Sequence, residues 1–335
     1  MPKILVIRFS SIGDIVLASP VFRCVKKQVP GAELHFLTKG SFKAVTSANP
    51  YIDKFFYFNN NLEEVIAQLK KEGYDHVVDL HNNLRSIKVR KALKRKFTVI
   101  NKLNIEKFLL TKLSINVMPG RHISLRSLDA VKPLGVIDDG KGLDYFIPDH
   151  ERVDESDIPT SHHAGYIALV IGGSYYTKKL PVSKLSELCR LIHFPIILLG
   201  GPEDREEGEE IVKQDPVKIY NACGKFSLNE SADLVQRSRL VISHDTGLQY
   251  IACAFGKQVI AIWGGTSPRL DVEPFYGTSY HQIGPYPVYE NVFLDLKCQP
   301  CSRYGTRKCP LIHFNCMQKQ DIPFIVEKVH ARLGK

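Results

Sequence analysis

Lys3-Ile4-Leu5-Val6-Ile7-Arg8, running into Phe9-Ser10-Ser11-Ile12-Gly13-Asp14, decides how this chain is read. An apolar run of strand length ends in a turn of small residues with one carboxylate, and an apolar helix-like stretch follows. The pattern returns far along the chain as Leu240-Val241-Ile242-Ser243-His244, then Asp245-Thr246-Gly247 and another apolar stretch. Turns of this kind present backbone N–H groups at a helix N-terminus, which suits phosphate or another anion. Two of them, near residues 10 and 245, predict two α/β halves facing one cleft. They point to a reaction that joins a phosphorylated donor to a second substrate.

Working outward, the first half alternates strand and helix signals. Strands are predicted at Ile4–Ile7, Glu33–Leu37, Phe55–Phe58, His76–Leu80 and Phe97–Ile100. Helices are predicted at Pro20–Val29, Leu62–Lys71 (ended by Gly73) and Ser86–Leu93. Residues 101–150 lose this rhythm, and the polar, acidic stretch Pro148 to Pro159 reads as an interdomain linker. The second half restarts with strands at Tyr166–Ile171, Pro195–Leu199, Leu240–Ser243 and Val259–Trp263. Its helices are predicted at Val182–Leu191, Glu206–Lys213, Leu228–Gln236 and Asp321–Leu333. Ser227 with Glu230 has the capping-box spacing. Strand and helix in alternation imply parallel sheets covered on both faces. In such sheets ligands bind at the carboxyl ends of strands, where every small-residue turn here falls.

At 335 residues the chain exceeds the size at which one core stops growing, so two domains are expected. The net charge of +10 favours anionic partners: nucleic acid, lipid head groups or phosphorylated sugars. Met1-Pro2-Lys3 leads straight into a strand pattern too short for a signal peptide, and no apolar run has transmembrane length. A cytoplasmic enzyme, working at a membrane surface, is the expectation.

Asp14 is placed to act as general base toward a hydroxyl, or to serve its helix as a first-turn carboxylate. Gly172-Gly173-Ser174-Tyr175-Tyr176-Thr177-Lys178-Lys179 combines close backbone approach, a hydroxyl and positive charge, which a departing diphosphate needs. The Walker A spacing is absent there. Gly200-Gly201-Pro202-Glu203-Asp204 suits a ribose, Asp204 being the acidic residue after the turn. Asp245, Thr246, Gly247 and Gly264-Gly265-Thr266-Ser267-Pro268 complete the set, with His244 read as a core or capping histidine.

Taken together these motifs resemble glycosyltransferase family 9, the heptosyltransferases of lipopolysaccharide inner core. The resemblance runs through Arg8-Phe9-Ser10-Ser11-Ile12-Gly13-Asp14-Ile15-Val16, Lys178-Lys179-Leu180-Pro181, the Gly200–Asp204 turn, Asp245-Thr246-Gly247-Leu248 and the Gly264–Pro268 turn. It implies an α/β GT-B fold of two Rossmann-like domains: 1–155 for the acceptor, 160–316 for the nucleotide-sugar donor with a Cys-rich end, and a C-terminal helix at 317–335. It implies inverting transfer of a heptose from an ADP-sugar to an anionic lipopolysaccharide precursor. Asp14 then matches the base and Lys178 the lysine that steadies the diphosphate. Gly173, Ser174, Asp204, Asp245, Thr246 and Gly247 match the donor site. Ser10, Ser11 and Gly13 fall on the acceptor side. Tyr250 stands where the family usually has histidine, and Leu180 where it usually has tryptophan. Kdo carboxylates and lipid A phosphates would suit the basic stretch Arg85, Lys88, Arg90, Lys91, Lys94, Arg95 and Lys96, with Arg85 foremost and Arg121 and Arg126 as further candidates. That stretch is equally a solvated helix face. The partners expected are thus an ADP-heptose-like donor, the acceptor lipid and the inner-membrane surface, and no nucleic acid.

Cys298-x2-Cys301-x7-Cys309-x6-Cys316 gathers four thiols in one stretch. A structural zinc is the metal reading, against reduced thiols or disulfides. No cofactor is expected for the chemistry. Two other classes compete with sugar transfer. A sugar-nucleotide epimerase or dehydrogenase would want Gly-x-Gly-x-x-Gly after the first strand, where the chain has Ser-Ser-Ile-Gly-Asp. A non-catalytic polyanion-binding module explains the charge but not the placed carboxylates.

Overall fold

The computed structural model describes residues 1–282 and 285–334. Its strands are β1 (Lys3–Ile7), β2 (Glu33–Lys39), β3 (Lys54–Phe58), β4 (His76–Asp79), β5 (Lys96–Val99), β6 (Ile167–Val170), β7 (Ile196–Leu199), β8 (Ile219–Asn221), β9 (Leu240–His244), β10 (Val259–Ile262) and β11 (Tyr289–Val292). The helices are α1 (Ile12–Val16), α2 (Ser19–Gln28), α3 (Leu62–Glu72), α4 (Leu84–Leu93), α5 (Asn104–Leu113), α6 (Ile123–Asp129), α7 (Val182–Leu191), α8 (Arg205–Val212), α9 (Leu228–Arg237), α10 (Gly247–Ala254), α11 (Asn315–Gln318) and α12 (Ile322–Leu333).

The chain forms two compact units. The first comprises Met1–Leu103, Arg121–Phe146 and Tyr276–Tyr280; the second comprises Asn104–Gly120, Ile147–Phe275 and His281–Lys335. In the first unit five parallel strands lie in the order β3-β2-β1-β4-β5. In the second, six parallel strands lie in the order β11-β10-β9-β6-β7-β8. Both are doubly wound α/β sheets, and both have the strand order that reverses direction at one point. The reversal falls between β1 and β4 in one sheet and between β6 and β9 in the other. The Asp14 turn and the Asp245 turn therefore each sit at the switch point of their own sheet, where such folds bind ligands.

The apolar runs are strands because helices cover both faces of each sheet. β6, β7, β9 and β10 are buried at every residue. Local signals agree. Gly73 ends α3 in the left-handed conformation (φ +68°). Ser227 Oγ accepts from the Glu230 amide while Glu230 Oε2 accepts from the Ser227 amide at 2.6 Å.

Two stretches with little periodic signal are nonetheless ordered. The 101–150 region, where the rhythm is lost, holds α5 and α6, and its end is tied back to α2. Arg23, almost wholly buried, donates to both Asp139 carboxylate oxygens at 2.8 Å and pairs with Asp144. The stretch 148–159 starts next to the boundary between Phe146 and Ile147 and is anchored to the second unit. Arg152 Nη1 donates to Asp233 Oδ1 at 2.6 Å, and the Val153 amide donates to Asp233 Oδ2 at 3.2 Å, pinning this stretch to α9.

Candidate active site

In the first unit the site grows from Arg8, the residue after β1. Its guanidinium is buried and donates to the Leu80 carbonyl at the end of β4 and, at 2.6 Å, to Asp14 Oδ1. One side chain thus ties the two turns at the switch point together. Asp14 lies in the first turn of α1, and its Oδ2 accepts from the Ser11 amide at 3.0 Å and the Ser11 hydroxyl at 3.1 Å. Its carboxylate is still 28% exposed. Burial works to raise its pKa, but the Arg8 charge and the Ser11 donors outweigh it, so the carboxyl sits below its ordinary value. Asp14 therefore serves its helix and faces solvent at once. Ser11 is exposed, Ser10 half-buried and Gly13 buried.

Next to this pair stands a residue the sequence reading passed over. The Asp79 carboxylate accepts from the amides of His81 (2.9 Å) and Asn82 (2.7 Å), which curls the chain back at the end of β4. The His81 ring then packs on Phe9, with centroids 4.8 Å apart. Burial, with Arg8 and Lys102 adding to it, pushes the imidazole down to about 3, so it is neutral at physiological pH. A lone histidine in a Leu-His-Asn-Asn run gives no spacing signal, and only the fold brings it beside Asp14.

The basic stretch divides. Arg85 is exposed in the first turn of α4, with no hydrogen-bond or ion-pair partner among the described residues. Arg90 instead pairs with the buried Asp79 at 2.9 Å, and Lys88 pairs with Glu63. Arg121 and Arg126, the further acceptor candidates, both have partners within this unit. Arg121 makes a two-pronged pair with Asp129 (2.6 and 2.7 Å). Arg126 is buried and donates to the Arg121 and Asn101 carbonyls at 3.1 and 3.0 Å. Both guanidinium groups are committed to folding this unit.

In the second unit the turns after β6 and β9 meet. Lys178 Nζ lies 2.8 Å from Asp245 Oδ2, and both side chains are largely buried. Asp245 Oδ2 also accepts from the Thr266 hydroxyl at 2.9 Å. The Tyr250 hydroxyl is shared between the Val272 carbonyl (2.7 Å) and Asp245 Oδ1 (3.2 Å). Tyr250 thus steadies Asp245 as a neutral donor. Thr246 and Gly247 open α10 just beyond, with amides available to an anion. Gly173 and Ser174 lie half-buried and exposed in the turn after β6.

The neighbouring lysine has a different task. Lys179 Nζ pairs with Asp204 Oδ1 (2.7 Å) and Glu207 Oε2 (2.6 Å). Asp204 is buried, and its Oδ2 accepts from the Gly201 amide at 2.9 Å. A Cβ on Gly172 would come within 2.7 Å of Asp204 Oδ2, and one on Gly200 within 2.8 Å of its Cβ. These glycines make room for Asp204 as a strut beneath the turns, with both its oxygens already engaged.

Lys178 is held in place by a packing the sequence did not disclose. The Gly265 amide donates to the Thr177 carbonyl at 2.7 Å, and a Cβ on Gly264 would fall 2.3 Å from that same oxygen. The Gly264-Gly265 turn is bare because Thr177 lies against it. Behind it the cysteine-bearing loop closes the stack. Gln299 Nε2 donates to the Gly264 carbonyl at 2.7 Å, the Cys301 amide to the Gly265 carbonyl at 3.1 Å, and the Thr306 amide to Thr177 Oγ1 at 2.8 Å. Cys298, Cys301, Cys309, Cys316 and His313 line a cavity of about 20 Å³ in this loop. Their sulfurs are not drawn together as a bound ion would hold them: among the described residues, the ligand atoms that gather within 4.8 Å belong to Glu33, His35 and Glu72. That trio is tied up by Lys3, Lys54 and Tyr74.

His244 is a core histidine. Its Nε2 accepts from the Leu180 amide at 3.0 Å, which sets the chain just past Lys179, and burial pushes its pKa down to about 4. A neutral buried histidine stabilises the fold above its unfolded pKa of 6.5, and that contribution drains away as pH falls from 6.5 toward 4. His76, His81 and His162 are shifted the same way, each first by burial. The melting temperature should therefore drop between pH 6.5 and 4, with His81 and His244 each withdrawing roughly 1.4 kcal/mol of stability per pH unit and His76 and His162 acting in the same direction. His244→Gln, which keeps an acceptor for Leu180, should flatten that slope in a pH series of thermal melts. An unchanged slope would show that His244 is not shifted.

Comparison with known proteins gives the family and the fold. Lipopolysaccharide heptosyltransferase 1 of Campylobacter coli is 26% identical over 291 residues, covering 79% of this chain and 84% of that protein. The structure of E. coli ADP-heptose LPS heptosyltransferase II superposes with a TM-score of 0.72 at 17% identity, covering 99% of this chain and 98% of the other. E. coli heptosyltransferase WaaC with ADP does so with a TM-score of 0.68 at 17% identity, covering 98% and 99%. Likeness at such identity is likeness of fold, and it gives the two parallel-sheet units the GT-B architecture. Residues 63–310 match glycosyltransferase family 9 (heptosyltransferase), and on that match, which takes in most of the chain, the protein belongs to this family of glycosyltransferases.

Proposed function

We propose that the protein is an inverting heptosyltransferase that moves a heptose from an ADP-activated donor to a lipopolysaccharide inner-core acceptor. The observation that carries the reading is the pair of charged constellations at the two switch points: Arg8–Asp14 in one unit and Lys178–Asp245–Thr266 in the other. The proposed donor site is Gly173, Ser174, Lys178, Asp245, Thr246 and Gly247, with Asp204 acting on it through Lys179 and Gly201. The proposed acceptor site is Ser10, Ser11, Gly13 and Arg85. Asp14 takes the proton of the acceptor hydroxyl as that oxygen bonds to the anomeric carbon. The bond from that carbon to phosphate breaks, and ADP leaves with the electron pair. Lys178 and the Thr246–Gly247 amides hold the charge that develops on the diphosphate. Attack opposite the leaving group inverts the anomeric centre.

The family match and the heptosyltransferases of Campylobacter and E. coli named above support heptose and ADP. A sugar-nucleotide epimerase or a bare polyanion-binding module leaves the Arg8–Asp14 pair without a use. The chain would act at the cytoplasmic face of the inner membrane; no helix among the described residues is long and apolar enough to cross it. Zinc enters this reading only as a structural tie: the four cysteines line one small cavity and are a donor set zinc accepts, and their sulfurs would have to draw closer to hold it.

The test is thermal stabilisation by a panel of nucleotide sugars. ADP-heptose at about 100 times its Kd should add roughly 2.7 kcal/mol of stability, while UDP- and GDP-sugars at the same concentration add little. Equal shifts with every nucleotide, or none with ADP-heptose, would remove the donor assignment. Metal analysis of the same preparation decides the zinc question: about one ion per chain supports it, and none removes it.

A further inference from the structure

Helix α5 buries Leu110, but it and the chain that follows it leave five large apolar side chains exposed. Ile105 is 74% exposed and Phe108 51%, and Leu113, Ile115 and Val117 are exposed as well. Ile105, Phe108 and Lys112 follow one another at helical spacing along one face. A folded protein seldom leaves so many large apolar groups in water over so short a stretch unless something covers them.

The cysteine-bearing loop extends this surface. Arg303 donates to the Asn104 side-chain and main-chain oxygens at 2.9 and 2.7 Å, and Ser114 Oγ donates to the Lys297 carbonyl at 2.9 Å. Both ends of α5 are therefore fastened to the 297–303 segment, within one unit. His313 Nε2 lies 3.9 Å from Cys298 Sγ, which brings the 311–313 stretch back beside the same segment. Here Ile312 is 91% exposed, and Leu311 and Tyr304 are exposed too.

The charge on the two segments is one-sided. Residues 104–120 and 297–314 carry Lys107, Lys112, Lys297, Arg303, Arg307 and Lys308 against a single acid, Glu106. Asp295, just outside, is paired with Arg269. Outward apolar side chains set among cations, with hardly an acid, make the composition of a surface that lies in a membrane interface. A protein partner of ordinary composition would not call for the near absence of acids. Nucleic acid would leave the aliphatic groups, Ile312 above all, without a use.

We propose that α5 with residues 114–117 and the 297–313 loop form one docking surface for an anionic lipid bilayer, the apolar side chains entering the head-group boundary and the lysines and arginines meeting lipid phosphates. It rests on the reading above only for its purpose, since an acceptor anchored in a membrane must be reached from that membrane. The loop that docks is also the loop that backs Gly264–Gly265 and Thr177, so lipid contact and the diphosphate lysine share a support.

The full chain is floated with vesicles of phosphatidylethanolamine and phosphatidylglycerol, and with vesicles of phosphatidylcholine alone. The wild type should rise with the anionic vesicles, at least about tenfold better than with the neutral ones, and be released by high salt. Phe108→Glu with Ile312→Glu should lower that partition by about tenfold or more at an unchanged melting temperature. Arg307→Glu with Lys308→Glu should lower it on anionic vesicles only. Transfer to a water-soluble, deacylated acceptor should be the same in both variants as in the wild type. No flotation of the wild type, equal flotation on both lipids, or variants that float like the wild type would overturn the proposal. If flotation fails while soluble-acceptor transfer persists, the docking surface is wrong and the heptosyltransferase reading stands. If flotation succeeds and no sugar is transferred, the converse holds.

Discussion

Asp14→Asn should reduce heptosyl transfer by about 10²–10⁴-fold in kcat while leaving ADP-heptose affinity within about twofold. The asparagine keeps an oxygen that can accept from the Ser11 amide, so the start of α1 survives. What it lacks is a lone pair basic enough to take a proton. It also leaves Arg8 without its counter-ion, and Arg8 is buried, so some stability goes with it: about 1–2 kcal/mol, since Asp14 itself is partly exposed. Thermal melts separate that loss from the kinetic one. The pH dependence follows from the depressed pKa of Asp14. A carboxyl held below its ordinary value stays ionised as pH falls, and its basic form disappears only on going below about pH 4. Wild-type kcat should therefore show no acid limb from Asp14 between about pH 5 and 8. An acid limb near 6.5 that persisted in an active Asp14→Asn enzyme would assign the base elsewhere.

Lys178→Ala should cost about 10²–10³-fold in kcat, the size of effect seen when a group that stabilises transition-state charge is removed. This substitution confounds two effects, because it strands Asp245 in a largely buried site. Losing the partner of such a pair costs about 2–4 kcal/mol. The double variant Lys178→Ala with Asp245→Asn separates the two. Neutralising the stranded carboxylate should recover much of the lost stability, because Tyr250 and Thr266 can still bond to the amide. It should recover none of the activity, because the positive charge for the diphosphate is still missing. Recovery of activity in the double variant would mean that Lys178 only balances Asp245. Lys179→Ala is the control: its charge is spent on Asp204 and Glu207, so the loss should fall mainly on stability.

The contrast between these two adjacent lysines shows where sequence reading stops. That Gly-Gly-Ser and Lys-Lys follow a strand end was legible, because the strand before them is a continuous apolar run of the kind a doubly covered parallel sheet buries. Which carboxylate each lysine meets was not legible from the turn itself, since Asp245 and Asp204 come in from other strands. The same holds for Arg121 and Arg126. They read as charges free to bind an acceptor, while the fold supplies Asp129 and the Asn101 carbonyl to consume them.

Short edge strands escaped as well. β8 has three residues, and β11 has no fully buried run, so neither carries a period to detect. Helix α5 was missed for a different reason. Leu110 is buried but Ile105, Phe108 and Leu113 are exposed, so its apolar residues do not all fall on one buried face. Thr177, Gln299 and Thr306 look like ordinary loop residues until the Gly264–Gly265 turn is seen pressed against them. The local signals that did read correctly, Ser227 with Glu230 and Gly73, are those whose partners lie within one helical turn.

The account stands most directly on one reaction. Wild-type protein is incubated with ADP-heptose and a Kdo-bearing lipid A acceptor, with ADP release, acceptor mass and the anomeric configuration of the product followed together. One heptose gained per ADP released, with inverted configuration, is the predicted result, and the Asp14→Asn enzyme should bind the donor yet yield almost no product. Retained configuration, ADP release without sugar on the acceptor, or equal turnover by Asp14→Asn would contradict it.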